Sequence, residues 1–185
     1  MLHLLRETGN GSGANMTHRG KMTLTTHFQM LARYNRIANE RLFAICAQLD
    51  DAEYRKERAG SFGSIHALLN HILLGDRRWM GLFEQGERPT PRLNEILYDD
   101  FPTLRSARAG EDTRIESFCN GLDDAFWSRS FSYTNNRGKD YVETANVACG
   151  HLFNHQTHHR GQVHVMLSQT PVPPPPLDLH RIINP

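Results

Sequence analysis

Residues 144–169 read TANVACGHLFNHQTHHRGQVHVMLSQ, a proline-free run with four histidines between His151 and His159. An α-helix turns about 100° per residue, so residues four apart lie about 40° from each other on its surface. With Leu152 set to zero, Ala148 and Met166 fall near roughly −40° and Val163 near +20°, which defines one apolar arc. His155 at about −60° and His159 at about −20° fall inside that arc, so the helical period is unbroken only when both are counted with it. His151 and His158, at roughly −100° and −120°, lie at its margin, and His164 at about +120° faces away. The prolines at 173–176 end the helix.

Working back from this segment, the same period recurs. TTHFQMLARYNRIANERLFAICAQL, residues 25–49, spaces Leu31, Tyr34, Ala38, Leu42, Ile45 and Leu49 by threes and fours and predicts a first helix. The charged, glycine-ended DDAEYRKERAGSFG is a loop with room for one helical turn. IHALLNHILLGDRRWMGLFEQ, residues 65–85, gives a second helix capped by Ser64 and stopped by Gly86. A third, less regular period runs through Leu104, Ala107, Ile115, Phe118 and Leu122. SFSYT and DYV flank NNRGK, the pattern of a two-stranded hairpin turning at 135–138. The last nine residues read as a tail. Four long helices, turn-rich connections and no internal repeat predict an all-α four-helix bundle with a hairpin excursion before its last helix, with connections long enough for a crossover topology.

The chain of 185 residues suits one domain. Residues 1–21 precede the first periodic pattern and read as a flexible extension, leaving 22–185 as the domain. Its opening MLHLLRETGNGSGAN lacks the apolar run of a secretory signal. Twenty-one Lys and Arg against twenty Asp and Glu leave a net charge of +1, which argues against a nucleic-acid or anionic-membrane partner. Cys46, Cys119 and Cys149 are widely spaced and form no CxxC, so the expectation is a reducing, cytoplasmic setting without a disulfide framework. Cys149 reads as a small core residue.

Two imidazoles on a core face need partners for their ring nitrogens, because an unsatisfied buried polar group costs about 1–3 kcal/mol. A shared divalent ion satisfies both, and His71, beside the apolar arc of the second helix with Gly75 one turn on, supplies a third ligand. His66, on the opposite margin, is the weaker choice. Three imidazoles without a fourth protein ligand describe an open site, with positions left for water or substrate. HxxxH is unspecific by itself, and a hydrogen-bonded pair of core histidines gives the same spacing. Asp76 reads first as an ion-pair partner for an arginine and second as a group that orients a ligand or accepts a proton. Gln162 reads equally as a buried amide and as a donor toward the open side of the metal. His158 and His151 are marginal, solvated or lining the pocket mouth as proton carriers, and Trp79 is a core residue that doubles as pocket wall.

Three segments, LARYNRIANERL, GSIHALLNHILLGDRRW and HLFNHQTHHRGQ, resemble the DinB/YfiT family of metal-dependent enzymes, a four-helix-bundle superfamily; the likeness spans about residues 22–179. The resemblance implies His71, His155 and His159 as ligands of one nickel, zinc or iron type divalent ion, and a homodimer. It also implies a transferase or isomerase that uses a low-molecular-weight thiol on a small-molecule substrate, with the catalytic residue to be sought among Asp76, Gln162 and His158. A metal-dependent hydrolase and a non-catalytic, stress-related metal-binding protein are the alternatives.

Overall fold

The computed structural model describes residues 22–86, 92, 94–135 and 137–185. The segment read as an extension, residues 1–21, lies outside them, as does Asn136 in the expected hairpin turn.

Helix α1 spans Leu24–Cys46, and its amino end is closed by a capping box between Thr23 and Thr26. The short α2, Asp51–Arg55, is the single turn for which the sequence left room. Helix α3 spans Ile65–Gln85, as the sequence predicts. Ser64 Oγ accepts the Ala67 N–H at 3.1 Å, and Gly86 closes the other end at φ 71°, a left-handed conformation that costs glycine little. Helix α4 spans Phe101–Asn120; Asp100 accepts the Thr103 N–H at 2.8 Å and Pro102 stands in the first turn, where no intrahelical partner is lost. After a 3-10 turn at Phe126–Ser128 come β1, Ser130–Thr134, and the antiparallel β2, Asp140–Thr144, in the expected hairpin. Helix α5 spans Ala145–Leu167.

The last nine residues are not a free tail. They carry α6, Leu179–Ile183, whose Ile182 is buried against α1 beside Tyr34 and Ala38, and Tyr34 Oη donates to the Leu177 carbonyl at 2.7 Å. The prolines thus end α5 and turn the chain back onto α1.

Helices α1, α3, α4 and α5 form the bundle. Helix α1 packs against α4 and α5, and α3 against the same two, so α1 and α3 stand diagonally across it. The core has two apolar layers. One holds Phe28, Trp79, Phe83, Ile115, Trp127 and Phe153, and the other Leu42, Leu69, Ile72, Leu104, Val163 and Met166. Helices α1 and α5 pass from the first layer to the second and α3 and α4 pass back, which is the crossover arrangement that the long connections permit.

Between the layers lies a buried polar belt to which all four helices contribute. Asp76 of α3 accepts from Arg108 Nη1 of α4 at 2.5 Å and from Gln156 Nε2 of α5. Arg108 also pairs with Asp112 at 3.0 Å, and Asp112 Oδ1 accepts from Asn35 and Asn39 of α1 at 3.2 and 2.8 Å. Arg160 of α5 closes the circuit by donating to Asn35, to Asn39 at 3.3 Å and to Gln156 Oε1 at 3.1 Å. Two arginines face two aspartates, so the belt is formally neutral, as burial at this depth requires.

Candidate metal centre

Level with this belt, on the seam of α3 and α5, the rings of His71, His155 and His159 converge. His71 Nε2 lies 3.1 Å from His155 Nε2 and 3.2 Å from His159 Nε2, and one ligand atom from each ring fits within 4.8 Å of the others. The placement follows from the helices. His155 and His159 are one turn apart on the inner face of α5, and α3 is the helix packed against that face.

Gly75 makes the approach possible: a Cβ there would stand 2.6 Å from His155 Cε1, so any side chain would have to displace that ring. Phe62, from the loop before α3, stacks on His71 with centroids 3.9 Å apart and meets His159 edge-on at 5.6 Å. In the sequence Phe62 is marked only as an aromatic ring between two glycines, in GSFG, which is too little to single it out.

Burial, then the neighbouring imidazoles, hold His155 down at about 3, and burial also lowers His159. Both rings are therefore neutral at ordinary pH, the form in which imidazole ligates a metal. His159 Nδ1–H donates to Gln162 Oε1 at 2.8 Å, which leaves Nε2 with its lone pair turned toward His71. Gln162 Nε2 lies 3.1 Å from His158 Nε2. Gln162 thus stands behind the His159 ring, on the side away from His71, and His158 is exposed behind Gln162.

The donor set fits a divalent cation. An ion about 2.0–2.1 Å from each nitrogen spaces neighbouring imidazole nitrogens by about 3.0–3.4 Å, which brackets the two observed contacts. Without one, a single N–H from His71 Nε2 reaches only one of the two facing lone pairs, and His155 Nδ1 is buried without a partner among the described residues.

A cavity of about 220 Å³ opens beside the triad, lined by His71, His155, Gly75, Arg78, Trp79 and His151 among others. Arg78 is 3% exposed, and burial lowers its pKa. Trp79 is both core and wall: it is buried, and it meets His151 and Tyr133 edge-on at 5.2 and 5.4 Å. Asp76 lies outside this cavity in the polar belt, and burial raises its pKa to about 7 against the pull of Arg108. His66 is elsewhere too, with Nε2 3.2 Å from the Tyr98 carbonyl. Cys149 is buried in the aromatic layer.

A sequence model of the DinB family matches residues 16–185. The chain belongs to the DinB family. The match covers every element of the bundle and begins inside the segment read as an extension. Comparison with the curated proteins finds no match. Family membership and the converging histidines together support a site that can hold one metal ion in this DinB protein. Among the described residues no helix is long and apolar enough to cross a membrane.

Proposed function

We propose that this DinB protein is a metal-dependent transferase or isomerase in which a low-molecular-weight thiol acts on, or assists, a small electrophilic substrate. The observation that carries the reading is the union of three imidazoles converging through Nε2 with a cavity that approaches the triad from one side. His71, His155 and His159 would hold a nickel, zinc or iron type ion. When bound, such an ion supplies Lewis acidity that stabilises a thiolate at neutral pH.

The chain's own residues do the rest. Gln162 fixes the tautomer of His159, Gly75 admits His155, and Phe62 covers one face of His71. Arg78 brings a buried positive charge to the cavity and favours a negatively charged group there. No carboxylate is among the described residues lining that cavity, and Asp76 is bound to Arg108 and Gln156 in the belt. This weighs against the hydrolase reading, which needs a carboxylate in reach of the attacking water.

Metal analysis of protein purified without added metal should give one ion per chain, lost in both His71→Ala and His155→Ala. Retention of metal by both variants would refute the site. Metal-loaded protein should consume one of bacillithiol, mycothiol, glutathione or cysteine when offered a panel of electrophiles. Silence with all four counts against the thiol reading while leaving the metal site standing.

A further inference from the structure

A second cavity of about 290 Å³ adjoins the first and shares Trp79 and His151 with it as a common wall. Its remaining lining comes largely from the hairpin, through Tyr133, Tyr141, Glu143 and Asn135. Residues alternate in exposure along both strands, and Phe131, Tyr133, Tyr141 and Glu143 form the half-buried side. Phe131 pairs with Glu143 and Tyr133 with Tyr141 across the ladder. Three of the four are aromatic, as the face of a hairpin packed on a bundle demands. Glu143 breaks the pattern: it places a carboxylate on the covered side, and no described residue offers it a hydrogen bond or an ion pair.

The surroundings of this carboxylate suit an organic cation. Trp79 and Tyr133 meet edge to face, Tyr133 and Tyr141 stack at 5.8 Å, and Glu143 lines the same cavity, so aromatic rings and one negative charge bound one space. Aromatic walls beside a carboxylate recognise alkylammonium groups through ring quadrupole and charge together. Tyr141 already takes a cation in this way, since Lys139 Nζ lies 5.0 Å from its ring centre. The inner cavity has the opposite polarity, with Arg78 beside the imidazole triad. A substrate with a negative end and a positive end is therefore drawn in with the negative end toward the histidines and the positive end toward the hairpin.

We infer that the hairpin cavity is an ammonium-binding subsite, with Glu143 as its specificity residue, and that the substrate or thiol this protein accepts carries an amino group distal to its reacting end. The assignment of a thiol to the inner end rests on the proposed function; the ammonium subsite does not.

Two arms test these apart. In the first, n-butylammonium and n-butanol are titrated into the full chain without thiol, with the Trp79 indole N–H resonance as readout, assigned through Trp79→Phe. Butylammonium should shift the resonance saturably and bind at least about tenfold more tightly than butanol. Glu143→Gln should abolish that preference with thermal unfolding and bound metal unchanged. Equal binding of the two probes, or a preference that survives in Glu143→Gln, overturns the subsite.

In the second arm, metal-loaded protein receives aminoalkanethiols of two to four carbons and their N-acetyl counterparts. The free amines should bind at least about tenfold better in the wild type and equally with their counterparts in Glu143→Gln. Equal binding of both series in the wild type overturns the subsite and leaves the thiol reading intact. Glu143-dependent binding of butylammonium without binding of any thiol upholds the subsite and removes the thiol.

Discussion

At the scale of single residues, the arrangement of the site depends on groups that touch the three histidines as well as on the histidines themselves. Gly75→Ala separates this dependence from folding, because alanine suits a helix interior better than glycine by about 1 kcal/mol while its Cβ drives into the His155 ring. The expected result is metal affinity weakened by about 10–100-fold in a metal-free protein that melts no lower than the wild type, read by competition with a chelating dye and by calorimetry. Gln162→Leu should weaken metal by a similar factor by releasing the His159 ring, whereas Gln162→Glu, which keeps an acceptor at Nδ1, should restore most of it. His155 carries a pH signature. The unfolded chain takes up a proton at this imidazole below about 6.5, which the folded chain refuses until about 3, so folding loses stability as pH falls through that window. In metal-free protein the urea midpoint of the wild type should therefore fall further between pH 6.5 and 4.5 than that of His155→Gln. The converging histidines were legible in the sequence because two of them fill gaps in an apolar period, a signal that Phe62 and Arg78 do not have.

At the scale of elements, legibility followed the chemistry of the buried face. Helix α3 was readable to the residue, since its inner face is mostly apolar and Ser64 and Gly86 mark its ends. Helix α4 gave a weaker period because Arg108, Glu111 and Asp112 occupy buried positions that a sequence reading assigns to solvent. The short α6 left no period at all: five residues behind a proline run cannot complete two turns, and only the burial of Ile182 shows that they are anchored. Because α6 packs on α1, away from the α3–α5 seam, it can be removed without touching the histidines. Truncation after Pro176 should cost about 2–3 kcal/mol, the worth of one fully buried isoleucine with the Tyr34 hydrogen bond added. Urea unfolding measures the loss, and bound metal should stay at the wild-type ratio; a fall in metal would mean that α6 reaches the site through α1.

At the scale of the whole molecule, the polar belt explains why the bundle has one arrangement. Two apolar layers of similar character could slide past each other by a turn, but a circuit that passes through Asp76, Arg108, Asp112, Asn39, Arg160 and Gln156 closes in one register only. That register sets His71 opposite His155, because Asp76 and Gln156 bind each other one residue beyond His155 on α5 and five beyond His71 on α3. The circuit itself was not visible in the sequence, where most of its members are polar residues at positions that one helix alone reads as surface; Asp76 read first as the partner of an arginine without a number and second as a group that orients a ligand or accepts a proton. Removing one member leaves uncompensated charge: Arg108→Met strands Asp76 and Asp112 in the core and should cost about 3–5 kcal/mol. The joint variant Asp76→Leu/Arg108→Met removes a pair of opposite charges and should recover part of that loss, giving a coupling energy well above the roughly 0.5 kcal/mol scatter of independent sites. If the belt fixes register as well as stability, the joint variant, though better folded than Arg108→Met, should still bind metal more weakly than the wild type, since the Gln156 contact with α3 is lost. Recovery of stability together with full metal affinity would assign the alignment of the histidines to apolar packing instead.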